Sequence, residues 1–138
     1  MASRTIVVGD IHGCYDELMK LLKKAKFKQS DRVVSVGDLV SKGPKVREVL
    51  DLFMTDKRFS TVIGNHDLIL RRYWNGENVE LKAGPRDTHK KLRRKKDKYL
   101  QFLNALPFMR RLPSNSGRLR TLSWPNDSPK PPVAPLTM

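Results

Sequence analysis

The sequence predicts an α/β fold with a parallel βαβαβ core, and three observations predict it. Short β-branched runs alternate with segments whose apolar residues recur at helical spacing. Each β-branched run stops at a glycine. The residue after each of these glycines is an aspartate or an asparagine (Asp10, Asp38, Asn65), at intervals of 28 and 27 residues.

The elements follow in order. Residues 5–8, Thr-Ile-Val-Val, are continuous and β-branched, as in a strand buried on both faces, and Gly9 ends the run. Residues 16–27 place Leu18, Leu21, Leu22 and Ala25 on one helical stripe with lysines between. Residues 32–36 form the second expected strand, ended by Gly37. Pro44 suits the first turn of a helix, and Val46, Val49, Leu50 and Phe53 then share a stripe. Residues 59–63 form the third strand, ended by Gly64, and a further helix over residues 67–74 stops near Asn75-Gly76. Right-handed crossovers are expected.

In an open α/β sheet ligands bind beyond the carboxyl ends of the strands. Three successive strand-to-helix turns therefore aim Asp10, Asp38 and Asn65 at one rim. Neighbouring strands would hold them roughly 5 to 10 Å apart, given a strand spacing of ~4.8 Å. Asp10 and His12, two residues apart where an apolar strand runs out, can pinch one cation between them. Carboxylates, an amide and an imidazole form a mixed oxygen and nitrogen set that suits Mn, Fe, Zn or a related divalent ion rather than a thiolate-bound one.

The totals bound the partners. The chain has 138 residues, about one domain, with 28 Lys plus Arg against 14 Asp plus Glu and a net charge of +14. That balance favours an anionic, phosphate-bearing partner without choosing among nucleotides, nucleic acid, polyphosphate and acidic membrane surface. Cys14 is the single cysteine, which excludes an internal disulfide and fits a reducing compartment. The apolar run before Asp10 is too short for a signal peptide, and no stretch approaches the ~18 uncharged apolar residues of a transmembrane segment. A cytoplasmic location is the expectation.

With these residues in place a resemblance is visible. "GDIHG" (residues 9–13), "GDLVSKGP" (37–44) and "GNHD" (64–67) resemble the three leading motifs of calcineurin-like metallophosphoesterases in order and spacing. "GDIHGCYDEL" and "GNHD" look closest to the bacterial diadenosine tetraphosphatase branch. The lysine of "GDLVSKGP" and the later "LNALPFMRRLP" look like the eukaryotic ApaH-like phosphatases. The resemblance spans residues 5–113 and implies a four-layer α/β sandwich type of fold, present here in part with an incomplete second sheet.

The resemblance also implies roles. Asp10 and His12 bind a first metal, Asp38 bridges two metals, and Asn65 binds the second and lies beside the substrate phosphate. His66 acts as general acid toward the leaving oxygen, with Asp67 to orient it. Lys42 stands where many relatives place a phosphate-binding arginine, a point charge instead of a planar fork. Ser41 stands where protein phosphatases carry an aspartate that supports the catalytic histidine. Cys14, in the turn after the first motif, reads as a packing residue at a helix start.

The chain also departs from that pattern. Complete relatives carry two later histidine motifs that bind the second metal, whereas His12, His66 and His89 are the histidines present here. The second metal site is therefore expected to be incomplete. Residues 1–113 read as the N-terminal part of a phosphoesterase domain. Residues 114–138, rich in proline and serine toward the end, read as a divergent, disordered tail from truncation or an alternative C-terminus. An unpaired sheet edge is expected where the missing half would join.

One further segment stands out. Residues 89–106 look like a helix packed through Leu92, Tyr99, Leu100 and Leu103. Residues 86–98 hold eight basic and two acidic side chains, a local charge of +6. Arg93, Arg94, Lys95 and Lys96 either steer nucleic acid or polyphosphate or form a plain solvated face. His89 reads as a surface histidine, and Tyr73 and Trp74 as helix packing rather than base-stacking groups.

Two functions are consistent with these features. One is metal-dependent hydrolysis of phosphate esters or phosphoanhydrides, of dinucleoside polyphosphate, cap, polyphosphate or phosphoprotein type, weakened by truncation. The other is a catalytically inactive remnant that binds metal and anions or nucleic acid.

Overall fold

The structure is a computed structural model that describes residues 4–109 and 118–121. Three strand-helix units come first. They are β1 (Arg4–Val8) and α1 (Tyr15–Lys24), β2 (Arg32–Ser35) and α2 (Val46–Thr55), and β3 (Phe59–Thr61) and α3 (Asn65–Trp74). An all-helical arm follows: α4 (Ala83–Leu92), a 3-10 turn at Arg93–Lys95, and α5 (Lys96–Asn104). The strand β4 (Arg118–Thr121) comes last.

All four strands run parallel in the order β3-β2-β1-β4. Ile6 pairs with Val33 and Val34 with Ser60, so the first three strands are neighbours in chain order. Both crossovers step in the same direction along the sheet, and α1 and α2 pack against each other. Their apolar stripes, Leu18, Leu21 and Leu22 on α1 and Val46, Val49, Leu50 and Phe53 on α2, are buried in one cluster with Ile6, Val8 and Val33. Each such large side chain contributes roughly 1.5 to 3 kcal/mol by leaving water.

At the end of the sheet away from the aspartates, Arg4 grips the buried Asp31 at 2.7 Å and donates to the carbonyls of Ala25 and Lys26. The amide of Lys28 also donates to Asp31. The Arg4 guanidinium is the main reason the Asp31 carboxyl falls to about 2.

Two expectations change. The continuous helix expected over residues 89–106 is broken by the turn at Arg93–Lys95. Leu92 at the end of α4 and Tyr99 and Leu103 on α5 are all buried in the core on either side of the break. The expectation of a tail without structure fails at Arg118–Thr121, which extend the sheet alongside β1, so β1 is not an unpaired edge. The rest of residues 114–138 lie outside the described residues. Among the described residues there is one sheet, and no helix is long and apolar enough to cross a membrane.

Candidate metal centre

The three expected turns converge. The turn after β1 is laced to the turn after β2 by backbone bonds. The amides of Ile11 and His12 donate to the Asp38 carbonyl at 3.2 and 2.9 Å, and that of Gly13 donates to Leu39 at 2.9 Å. The third turn approaches closely because it is glycine. A Cβ on Gly64 would collide with the backbone and carboxylate of Asp38, and one on Gly37, itself at φ +106°, would meet Gly64. The His66 amide then donates to Asp38 Oδ1 at 2.8 Å.

This lacing holds non-glycine residues in left-handed backbone: His12 at φ +46°, Asp38 at +54°, Ser41 at +75° and Lys42 at +74°. Each such residue costs on the order of 1 to 3 kcal/mol and persists only where its surroundings over-determine it.

Asp10, His12 and Asp38 each offer a ligand atom, and these atoms lie within 4.8 Å of one another. His12 decides what they can hold. Its Nδ1 sits 2.9 Å from the Val40 carbonyl, which can only accept, so Nδ1 carries the proton and donates. Nε2 is left with its lone pair, buried, without a hydrogen-bond partner, 3.8 Å from Asp10 Oδ2. Two carboxylates packed beside a bare imidazole lone pair need a positive charge. Burial first, and then the neighbouring Asp38 carboxylate, push Asp10 up to about 6, while His12 and Lys42 pull it back. A divalent cation satisfies all three donors, so the residues present fit the metal.

His66 packs its ring edge-on against His12, with ring centroids 5.0 Å apart, and its Nδ1 is buried without a partner. Burial pushes its pKa down, and Asp38 opposes that. Asn65 is exposed as the first residue of α3. Lys42 is exposed, and its charge acts on both Asp10 and His66.

Asp67, expected to orient His66, makes no direct hydrogen bond to it and instead binds the backbone of the turns. It is fully buried, and its Oδ1 accepts from the amides of Leu39 and Val40 while Oδ2 accepts from Gly64. It pins the second turn to the third. Burial still pushes its carboxyl up to about 7 against the pull of these amides. Cys14 is the buried residue before α1, with Sγ 3.6 Å from the His12 carbonyl, as its packing role requires.

Reasoning from sequence missed the part played by α4. Thr88 is fully buried, and its Oγ1 accepts from the Ser41 amide at 3.0 Å. A Cβ on Gly84, one turn earlier, would sit 3.2 Å from Ser41 Cβ, so glycine lets the helix lie against the Ser41-Lys42 loop. The Ser41 hydroxyl is buried and unpaired. A threonine four residues after a glycine is a weak signal, and nothing local ties it to a loop 47 residues away. His89 is not a simple surface histidine, since Trp74 Nε1 donates to its Nδ1 at 2.8 Å and fastens α3 to α4. Trp74 is buried as expected, while Tyr73 is partly exposed.

Comparison with known proteins agrees with this geometry. The family model for calcineurin-like phosphoesterases matches residues 3–135, past residue 113 where the motif resemblance ended. The symmetrical bis(5'-nucleosyl)-tetraphosphatase of Nitrosococcus oceani is 51% identical over 65 residues, 46% of this chain and 23% of that protein. The enzyme of the same name from Pasteurella multocida is 48% identical over 68 residues, 48% of this chain and 25% of that one. The chain thus spans about a quarter of the length of the curated relatives it matches. A crystal structure of a protein assigned as a diadenosine tetraphosphatase superposes with a TM-score of 0.53 at 32% identity, covering 77% of this chain and 47% of that one. A metallophosphoesterase from Sphaerobacter thermophilus shares the fold, with a TM-score of 0.56 at 24% identity over 75% of this chain and 41% of that one. Motifs, fold and metal-ready rim lead to one conclusion: the chain belongs to the calcineurin-like phosphoesterase family.

Proposed function

We propose that the protein carries out metal-dependent hydrolysis of a phosphate ester or phosphoanhydride at the rim formed by Asp10, His12 and Asp38. The observation that carries this is the buried, unpartnered Nε2 of His12 facing two carboxylates. We read the metal as Mn, Fe or Zn from the mixed donor set. A divalent ion bound there supplies positive charge to the phosphate and lowers the pKa of a water.

The chain's own residues do the rest. Asp10, His12 and Asp38 hold the first ion, and Asp38 and Asn65 contribute to a second. Lys42 binds a non-reacting phosphate oxygen as a point charge, and Asn65 lies beside the same phosphate. His66 supplies the proton to the leaving oxygen, an effect worth roughly 10² to 10⁴ in rate. Asp67 positions His66 through the backbone of Gly64. The 48–51% identity to dinucleoside tetraphosphatases supports a dinucleoside polyphosphate substrate.

A second reading has one observation in its favour. Among the described residues a single group of three acidic, His or Cys donors is present. A site with one well-furnished metal position binds metal and phosphate but turns over slowly.

The test is hydrolysis of p-nitrophenyl phosphate and of diadenosine tetraphosphate by the full chain with Mn, alongside calorimetric titration of Mn. The expected result is Mn uptake, with turnover reduced at least about 100-fold in Asp38→Asn. Uptake without turnover gives the second reading. No uptake by the wild-type protein overturns both.

A further inference from the structure

The arm carries a concentration of positive charge outside the metal centre. A groove of about 230 Å³ lies between α2 and the arm, lined by Arg47, Lys91, Leu92, Arg94, Lys95 and Tyr99. A shallower concavity of about 410 Å³ lies over Arg93, Arg94, Lys95, Lys96, Asp97 and Lys98. The floor is apolar and closed, since Leu92 and Tyr99 are both about 1% exposed. The walls are cationic.

This groove is built rather than incidental. Arg47 reaches from the first turn of α2 and donates to the Lys91 carbonyl at 3.0 Å, which fixes its guanidinium at the mouth. Two of the cations on the arm are already paired, Lys91 with Asp87 at 2.9 Å and Lys98 with Asp51 at 3.2 Å. Arg93, Arg94 and Lys95 are exposed and have no ion pair among the described residues. The 3-10 turn that breaks the expected helix carries all three, with Arg94 and Lys95 lining the groove and Arg93 the adjoining concavity.

The groove also adjoins the rim. Thr88 bonds to the Ser41 amide, and Lys91 follows three residues later on the same helix, about 4.5 Å along its axis. Arg47 follows Lys42 by five residues. A cationic track therefore runs along the groove from Arg47 and Lys91 to Arg94 and Lys95.

We propose that this track binds a linear chain of consecutive phosphates, bare of bases, of the inorganic polyphosphate type. Phosphate is the chemistry that unpaired guanidinium and ammonium groups at a groove mouth recognise. The absence of bases follows from Tyr99. It is the groove's one aromatic ring, it is buried, and its hydroxyl donates to Asp51 at 3.1 Å. No ring in the groove is available for a base to stack on, and stacking is what single-stranded nucleic acid uses. Binding in the groove does not rest on the proposed function.

The experiment is fluorescence anisotropy of the full chain with end-labelled polyphosphate in EDTA, so that the outcome is separate from hydrolysis. Arg93→Gln/Arg94→Gln/Lys95→Gln should weaken binding at least about tenfold and flatten its dependence on log[salt] by about 2 to 3. Arg47→Gln, on a different helix, should weaken it in the same direction, which guards against a local folding defect. Lys20→Gln/Lys23→Gln/Lys24→Gln on α1 removes the same charge from exposed positions elsewhere and should cost less than about twofold. Any of three results overturns the proposal: no binding by the wild-type chain, equal loss in the α1 variant, or single-stranded RNA of equal charge bound as tightly as polyphosphate.

Discussion

The rim and the arm both hold many ionisable groups, and they treat them in opposite ways. At the rim Asp10, His12, Asp38 and Asp67 are buried, left-handed backbone is maintained at four positions, and the carboxylates of Asp38 and Asp67 accept from backbone amides. On the arm the charges are exposed and joined, where they are joined at all, by single surface ion pairs such as Lys91 with Asp87. Charge at the rim is thus expensive and over-determined, whereas charge on the arm is cheap and interchangeable. The difference separates a place built for one cation from a surface built for many anions.

The comparison is most easily broken at Asp67. Asp67→Ala strands three backbone amides, two of them buried, and the expected loss is about 3 kcal/mol, a fall in melting temperature of about 10 °C. A calorimetric scan with an unchanged melting temperature would mean that the rim is not held by this carboxylate.

The Arg4–Asp31 pair gives an intermediate effect at the opposite end of the sheet, away from any metal donor. The folded value of Asp31 lies below its ordinary 3.8, so the stability it contributes is complete above about pH 4 and is lost as pH falls toward about 2. Melting temperatures measured from pH 5 to pH 2 should fall steeply in the wild-type protein and less steeply in Asp31→Asn. Parallel curves would remove this pair from the account.

The smallest effect is expected on the arm. Lys91→Gln breaks an exposed pair spaced four residues apart on α4 and should change stability by less than about 0.5 kcal/mol in urea titration. A loss as large as that of Asp67→Ala would erase the distinction between the two regions.

Much of the rim was legible from the sequence because its signals are local. The glycine after each strand, the acid or amide after each glycine and the apolar stripes between them lie within a few residues of one another. They led to Asp10, His12 and Asp38 on one edge of neighbouring strands, and the structure brings their ligand atoms within 4.8 Å. Asp67 was recognised as part of a motif, but its partners, Leu39 and Val40, lie 28 and 27 residues away and depend on how the two turns pack. The arm was legible as charge and as an apolar stripe. Its break at Arg93–Lys95 was not, because Leu92, Tyr99 and Leu103 keep one helical spacing across it and nothing in that spacing marks the turn.

The sequence by itself determined the alternation of strands and helices, the order of the rim residues and the excess of positive charge, since each is written in neighbouring residues. Only the tertiary structure decided which nitrogen of His12 is left bare, that Thr88 steadies the Ser41-Lys42 loop, that Arg47 joins the arm's cations, and that residues 118–121 extend the sheet beside β1. The reason is physical. Hydrogen bonds and pairings between residues far apart in the chain are fixed by how the elements pack, and no local pattern of residue types records that packing.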